Sequence, residues 1–97
     1  MKNCLISPSA SQDLDQIFDY FASHNVDAGE KFVISFEKKC QNLLQFPNMG
    51  RSYQDIEPSL RGVPLDNHII LYRLIDNGVE IVRVVSGYRN LKYLFEQ

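Results

Sequence analysis

The feature that most limits what this chain can fold into is a pair of apolar, β-branched runs, His68–Ile75 and Val79–Ser86, joined by Asp76-Asn77-Gly78. Asn-Gly is the preferred centre of a two-residue type I′ turn, so the two runs read as a β-hairpin. With Asn77-Gly78 at the tip, Asp76 opposes Val79, Leu74 opposes Ile81, Tyr72 opposes Arg83 and Ile70 opposes Val85. Tyr72 and Arg83 then share one face, while the other carries Ile69, Leu71, Ile75, Val82 and Val84, with Arg73 diagonal to Glu80. Both faces are mostly apolar, so helices or a partner must cover most of each.

The first half supplies the cover. Residues 3–7 read as a short strand. Ser9, with Gln12 three residues on, forms a capping-box signature and starts a helix just past Pro8. Ala10, Leu14, Ile17 and Phe21 recur at helical spacing and Phe18 widens the stripe, which turns Asp13, Asp15, Gln16 and Asp19 to water. That helix ends near His24-Asn25. Asp27 with Glu30 repeats the cap and opens a helix of roughly eighteen residues. Its stripe is Phe32, Val33, Phe36, Cys40, Leu43 and Leu44, and it breaks at Pro47 and Gly50. A link of about four residues forces the two helices into an antiparallel hairpin.

A loop covers residues 48–59. Leu60–Leu65, interrupted by Gly62 and Pro64, is a short or edge strand. A short helix runs from about Tyr88 to Phe95. The expected fold is α+β: an N-terminal strand, then an antiparallel helical hairpin packed on a mostly antiparallel β-sheet, then a short C-terminal helix. Its 97 residues form a single domain, 1–97, because a second core would leave each half too small.

Composition narrows the function. At 44% hydrophobic, with six Phe and five Tyr, the chain fills a core and has no low-complexity tract. Its first eight residues hold too short an apolar run for a signal peptide or membrane span, so a cytoplasmic protein with no membrane partner is expected. Cys4 and Cys40 form no C-x-x-C motif and read as reduced, buried thiols. With His24 and His68 they show no ligand-pair spacing, so no metal and no cofactor is expected. A net charge of −2 argues against a strong non-specific grip on nucleic acid.

All five arginines (Arg51, Arg61, Arg73, Arg83 and Arg89) follow residue 50. Their planar forks suit carboxylates and phosphates, which favours a recognition surface in the second half. Arg83 beside Tyr72 is either a sheet residue capped by a carboxylate or an anion-binding group. Arg89 stands at a strand-to-helix junction where Gly87 lets its fork project. Arg51 and Arg61 flank the loop, Tyr88 and Tyr93 are core or stacking groups, and His68 is a candidate acid or base without a positioned partner. A Gly-rich phosphate loop, a G-x-S-x-G elbow and H-E-x-x-H are all missing from the sequence.

Over nearly its whole length the chain resembles the RelE/ParE superfamily of toxins from type II toxin–antitoxin systems. The segments that carry the likeness are Ser7-Pro8-Ser9-Ala10, Asp13-Leu14-Asp15-Gln16-Ile17-Phe18-Asp19-Tyr20 and Phe46-Pro47-Asn48-Met49-Gly50-Arg51. Leu60-Arg61-Gly62-Val63-Pro64, Ile70-Leu71-Tyr72-Arg73, Val79-Glu80-Ile81-Val82-Arg83-Val84 and Ser86-Gly87-Tyr88-Arg89-Asn90-Leu91 follow in order. The details look like the ParE branch. Where the ribonucleases of the RelE branch place an arginine and a late tyrosine, this chain has Ile69 and Phe95, and Ser86 stands where many relatives have His.

The resemblance implies a non-enzymatic toxin that binds and inhibits DNA gyrase and is neutralised by a cognate, ParD-like antitoxin in a hetero-oligomer, with operator DNA reached only through the antitoxin. Arg61, Tyr72, Arg83, Tyr88 and Arg89 are the expected target-binding residues, and none is assigned a catalytic role. Leu14, Ile17, Phe18 and Phe21, with Arg51 and Arg73, are the expected antitoxin contacts. Two alternatives stay open: a ribosome-dependent mRNA endoribonuclease of the RelE type, and a degenerate, non-toxic binding or regulatory module.

Overall fold

Pro8 decides where the first helix begins. It has no N–H and a preset φ, so it fits the first helical turn, and the capping role passes back one residue to Ser7 rather than to Ser9. Ser7 Oγ accepts the Ala10 N–H at 3.1 Å. In a computed structural model describing residues 2–87, the order is β1 (Asn3–Ile6), α1 (Pro8–His24), α2 (Val26–Gln45), β2 (Arg51–Ser52), β3 (Arg61–Leu65), β4 (His68–Ile75) and β5 (Gly78–Ser86). The expected C-terminal helix, with Tyr88, Arg89, Tyr93 and Phe95, lies outside the described residues.

The helices are joined more tightly than the sequence suggested. Asn25 alone separates them: its N–H donates to the Phe21 carbonyl at the end of α1, and its Oδ1 accepts the Ala28 N–H at the start of α2. Asp27 and Glu30 therefore fall inside α2 and do not cap it.

The five-stranded sheet runs in the order β1-β5-β4-β3-β2, with β1 parallel to β5 and the other pairs antiparallel. β2 was not expected. Its two residues pair with Arg61 and Gly62, so β3 is not the edge, yet Pro64 lies beyond β2 where its missing N–H breaks no ladder bond. One face packs under the helices, where Ala10, Leu14, Phe32, Phe36, Cys40 and Leu43 meet Val63, Leu65, Ile70, Tyr72, Val79, Ile81 and Val84. The other face is covered in part by the loop before β3, whose Tyr53 and Ile56 pack on Leu60, Leu71 and Val85.

The hairpin register differs from expectation. Ile75 pairs with Gly78 and Leu74 with Val79, so the tip is Asp76-Asn77 and Gly78 opens β5. Gly78 has φ +138°, and a Cβ there would collide with the carbonyl oxygen of Asn3. Its freedom is spent on letting β1 lie alongside β5, not on the turn. Arg73 consequently sits directly opposite Glu80. Between Leu71 and Tyr72 the ladder then shifts by one residue: Tyr72 pairs with Ile81 and Leu71 with Arg83, leaving Val82 as the extra residue of a bulge. Tyr72 and Arg83 are thus not cross-strand neighbours.

Gly78→Ala is expected to cost at least about 2 kcal/mol, because it combines a disfavoured φ with a backbone collision. Urea unfolding checks this. A midpoint equal to that of the parent chain would show that β1 is not held against β5 at this point.

Candidate functional site

Just past the bulge in β5 lies a part-buried polar cluster. Arg83 Nε donates to Asp13 Oδ2 at 2.7 Å and Arg83 Nη2 to Asp13 Oδ1 at 3.0 Å, a two-pronged pair between β5 and α1. Asp13 Oδ2 also accepts the Val84 N–H at 3.0 Å. One turn earlier, Ser7 Oγ donates to the Val82 carbonyl at 2.8 Å, and the Ser7 N–H donates to that of Ile81. Asp13 therefore does not face water, as helical periodicity suggested; its side chain is 14% exposed and that of Arg83 is 24% exposed. Hydrogen bonding to Asp13 raises the Arg83 pKa further, against the opposing effect of burial. Of the two readings of Arg83, the carboxylate-capped one describes its geometry.

A second polar knot ties down the turn after α2. Tyr72 is fully buried; its hydroxyl donates to the Pro47 carbonyl at 2.7 Å and accepts the Gly50 N–H at 3.0 Å. A Cβ on Gly50 would lie 2.6 Å from that hydroxyl oxygen, so only glycine admits the tyrosine. Arg61 Nη1 donates to the Gly50 carbonyl at 2.8 Å and to that of Asn48 at 3.3 Å. Burial raises the Tyr72 pKa, with the Gly50 hydrogen bond and the Arg61 charge acting the other way.

The five expected target-binding residues are not gathered on one face. Tyr72 lies in the core under the helices, Arg61 is at the 47–50 turn, Arg83 is against α1, and Tyr88 and Arg89 fall outside the described residues. The six expected antitoxin contacts divide between two faces. Arg73 pairs with Glu80 at 2.9 Å and with Glu57 at 3.7 Å, and Arg51 lies 5.2 Å from the centre of the Tyr53 ring, so both attach to the loop-covered side. Leu14, Ile17, Phe18 and Phe21 belong to α1, where Phe18 and Phe21 pack on Phe32 at ring distances of 6.2 and 5.7 Å.

Leu14 and Phe18 nonetheless reach an apolar groove of about 770 Å³ between β1, α1 and α2, together with Cys4, Ile6, Val33, Ile34 and Cys40. Along it Ile34 is 54% exposed, with Ile6 and Val33 also open to solvent. These three residues were not among the candidates. Ile34 carried a readable signal, being an aliphatic side chain off the buried stripe of its helix.

A second cavity of about 650 Å³, between α1 and the ends of β4 and β5, is more polar, with Gln12, Asp13, Gln16, His68 and Arg83 on its walls. Here His68 packs edge-on against Phe32 at 5.5 Å, and its Nδ1 is buried with no hydrogen-bond partner among the described residues. Burial lowers the His68 pKa, opposed by the charge of Asp66. His68 is part-buried on the wall of this cavity, and no carboxylate or hydroxyl among the described residues holds its Nδ1 in position. No group of three or more metal-ligating side chains occurs among the described residues, and no helix among them is long and apolar enough to cross a membrane.

Comparison with known proteins accords with this architecture. The family model described as ParE toxin of type II toxin–antitoxin system, parDE, matches residues 5–91. The sequence is 33% identical over 82 residues to Toxin ParE3 of Caulobacter vibrioides, covering 84% of this chain and 82% of that one. Among solved structures, the chromosomal ParDE system from P. aeruginosa superposes with a TM-score of 0.72 at 21% identity, covering 89% of this chain and 96% of the other. The YoeB–YefM complex from Staphylococcus aureus gives 0.62 at 17% identity, covering 91% and 99%.

Two measurements test the site. Arg83→Ala leaves a mostly buried carboxylate with only the Val84 amide, and is expected to cost roughly 2–3 kcal/mol. Adding Asp13→Ala to it should cost clearly less than the two single changes summed, because each single change strands the partner of the other; additive losses would mean the pair is not coupled. For His68 the folded pKa lies below the unfolded one, so the unfolded chain binds more protons. Stability attributable to this residue is complete above the unfolded value near 6.5 and declines as pH falls through the window beneath it. His68→Phe should flatten that part of the Tm–pH curve.

Proposed function

This chain belongs to the ParE toxin family of type II toxin–antitoxin systems, and from that premise we propose that it arrests growth by binding DNA gyrase and is silenced by a cognate antitoxin. The observation that carries the reading is the family match across residues 5–91, since ParE-like proteins are associated with poisoning gyrase by binding it. The chemistry of the described residues supports a binder over a ribonuclease. Cleaving RNA needs a positioned acid, a base and cationic stabilisation of the phosphorane-like transition state. Here Arg83 is committed to Asp13, Arg61 to backbone carbonyls, the Nδ1 of His68 is buried with no partner among the described residues, and Ile69 packs in the apolar cluster of the second face. A net charge of −2 also supplies no long-range pull toward ribosomal RNA.

The antitoxin is assigned to the groove beside β1. Leu14, Phe18, Ile6, Val33 and Ile34 line it, an apolar surface that a segment disordered in isolation covers by folding onto it. A ParDE system and a YoeB–YefM complex share the fold. Arg89 becomes the preferred target-contact residue of the five, because Arg61, Tyr72 and Arg83, the three described members, are engaged by other groups of the fold.

The deciding experiment adds purified chain to a gyrase supercoiling reaction and then adds the product of the neighbouring open reading frame. Supercoiling is expected to stop and to recover with the antitoxin. In cells, induction should give filamentation and DNA-damage signalling while translation continues. Immediate arrest of protein synthesis, with messenger RNA cut at codons in the ribosomal A site, would replace the gyrase reading with the ribonuclease one. Unchanged growth and supercoiling would identify a non-toxic module.

A further inference from the structure

We propose that Cys4 and Cys40 are a peroxide-responsive dithiol that closes into an intramolecular disulfide tying β1 to α2. The two cysteines come from segments far apart in the chain and are brought together by the fold. Cys4 is held by the parallel pairing of β1 with β5, opposite Val79. Cys40 is buried on the face of α2 that lies over the sheet, within the main core, and Cys4 packs against that core. The two side chains interact thiol to thiol, and both are free. The two thiols are thus packed neighbours on a strand and its covering helix, the arrangement from which a disulfide can close.

Access and reactivity are divided between the two sulfurs. Both line the apolar groove beside β1, about 770 Å³ and ample for a hydroperoxide, and Cys4 is the half-buried member. Hydrogen bonding from Cys40 lowers the Cys4 pKa, against burial, while the same contact together with burial raises that of Cys40. Cys4, the more accessible of the two, is taken as the attacking sulfur and buried Cys40 as the resolving one. In the first step the Cys4 thiolate attacks the O–O bond of a hydroperoxide. An S–O bond forms, the O–O bond breaks, and the departing oxygen leaves as an alcohol or water after taking up a proton, giving a Cys4 sulfenic acid. In the second, the Cys40 sulfur attacks the Cys4 sulfur; the S–S bond forms, the S–O bond breaks, and hydroxide leaves as water with the proton of Cys40. The two thiols together supply the two electrons that reduce the peroxide. The reaction is that of the free chain, whose groove is open.

The test treats the purified full chain with hydrogen peroxide, alkylates any remaining thiols under denaturing conditions and weighs the intact protein. The expected product is unalkylated, lighter than the reduced chain by about 2 Da, as loss of two hydrogens requires, and monomeric on a non-reducing gel. Closing the loop from residue 4 to residue 40 should raise Tm by roughly 10 °C, reversed by dithiothreitol. Cys4→Ala and Cys40→Ala should each abolish the mass loss, and the parent chain decides the matter even if a variant folds poorly. Two alkylated thiols after peroxide, a product carrying only added oxygen, or a disulfide-linked dimer would each overturn the proposal.

Discussion

The carboxylate of Asp13 is the interaction on which the remaining architecture depends. A bulge in β5 leaves Val82 without a partner across the ladder, and backbone groups there need hydrogen bonds from elsewhere. α1 provides them: Asp13 takes the Val84 amide and both prongs of Arg83, and Ser7 takes up the carbonyls of Ile81 and Val82. The same contacts fix how the helix lies on the sheet and so where Leu14 and Phe18 open onto the groove. An unpaired arginine at this depth would be costly, and so would an unpaired aspartate, which gives the pair its all-or-none character.

Residues that look like a recognition set in sequence turn out to divide by what they hold. Arg83 and Arg61 are fasteners, one joining a helix to a strand and the other gripping the turn where α2 hands the chain to β2. Tyr72 completes that second fastening from inside the core. Arg51 and Arg73 brace the loop that covers the second face of the sheet. The open apolar surface lies elsewhere, along β1 and the outward side of α2, which carry no arginine.

Periodicity made most of the fold readable. The stripes Ala10-Leu14 and Phe32-Phe36-Cys40-Leu43 are buried as spaced, since repeating apolar residues have one physical solution in a helix on a sheet. What stayed hidden was anything fixed by a long-range partner. Asn77-Gly78 matches a turn, but Gly78 answers to Asn3, a residue 75 positions away that no local pattern includes. Asp13 fits the polar side of its helix equally well whether it meets water or Arg83. The cap signature at Ser9 and Gln12 was sound chemistry in the wrong place, because Pro8 had already taken the first position of the helix. The family resemblance supplied the fold and the class of protein, while the roles of single arginines depended on which carbonyl or carboxylate stood within 3 Å.

The placement of β1 has a consequence for the order of events during synthesis. β1 and both helices are made first, yet β1 is bonded only to β5 within the sheet, the last of the described strands to be synthesised. At about 5–20 residues per second, seconds pass between the emergence of the helical hairpin and the arrival of the strand that receives it. Throughout that interval the nascent chain carries β1 without the strand it pairs with. The docking of β1, and with it the forming of the groove that Cys4 and Ile6 line, waits for β5.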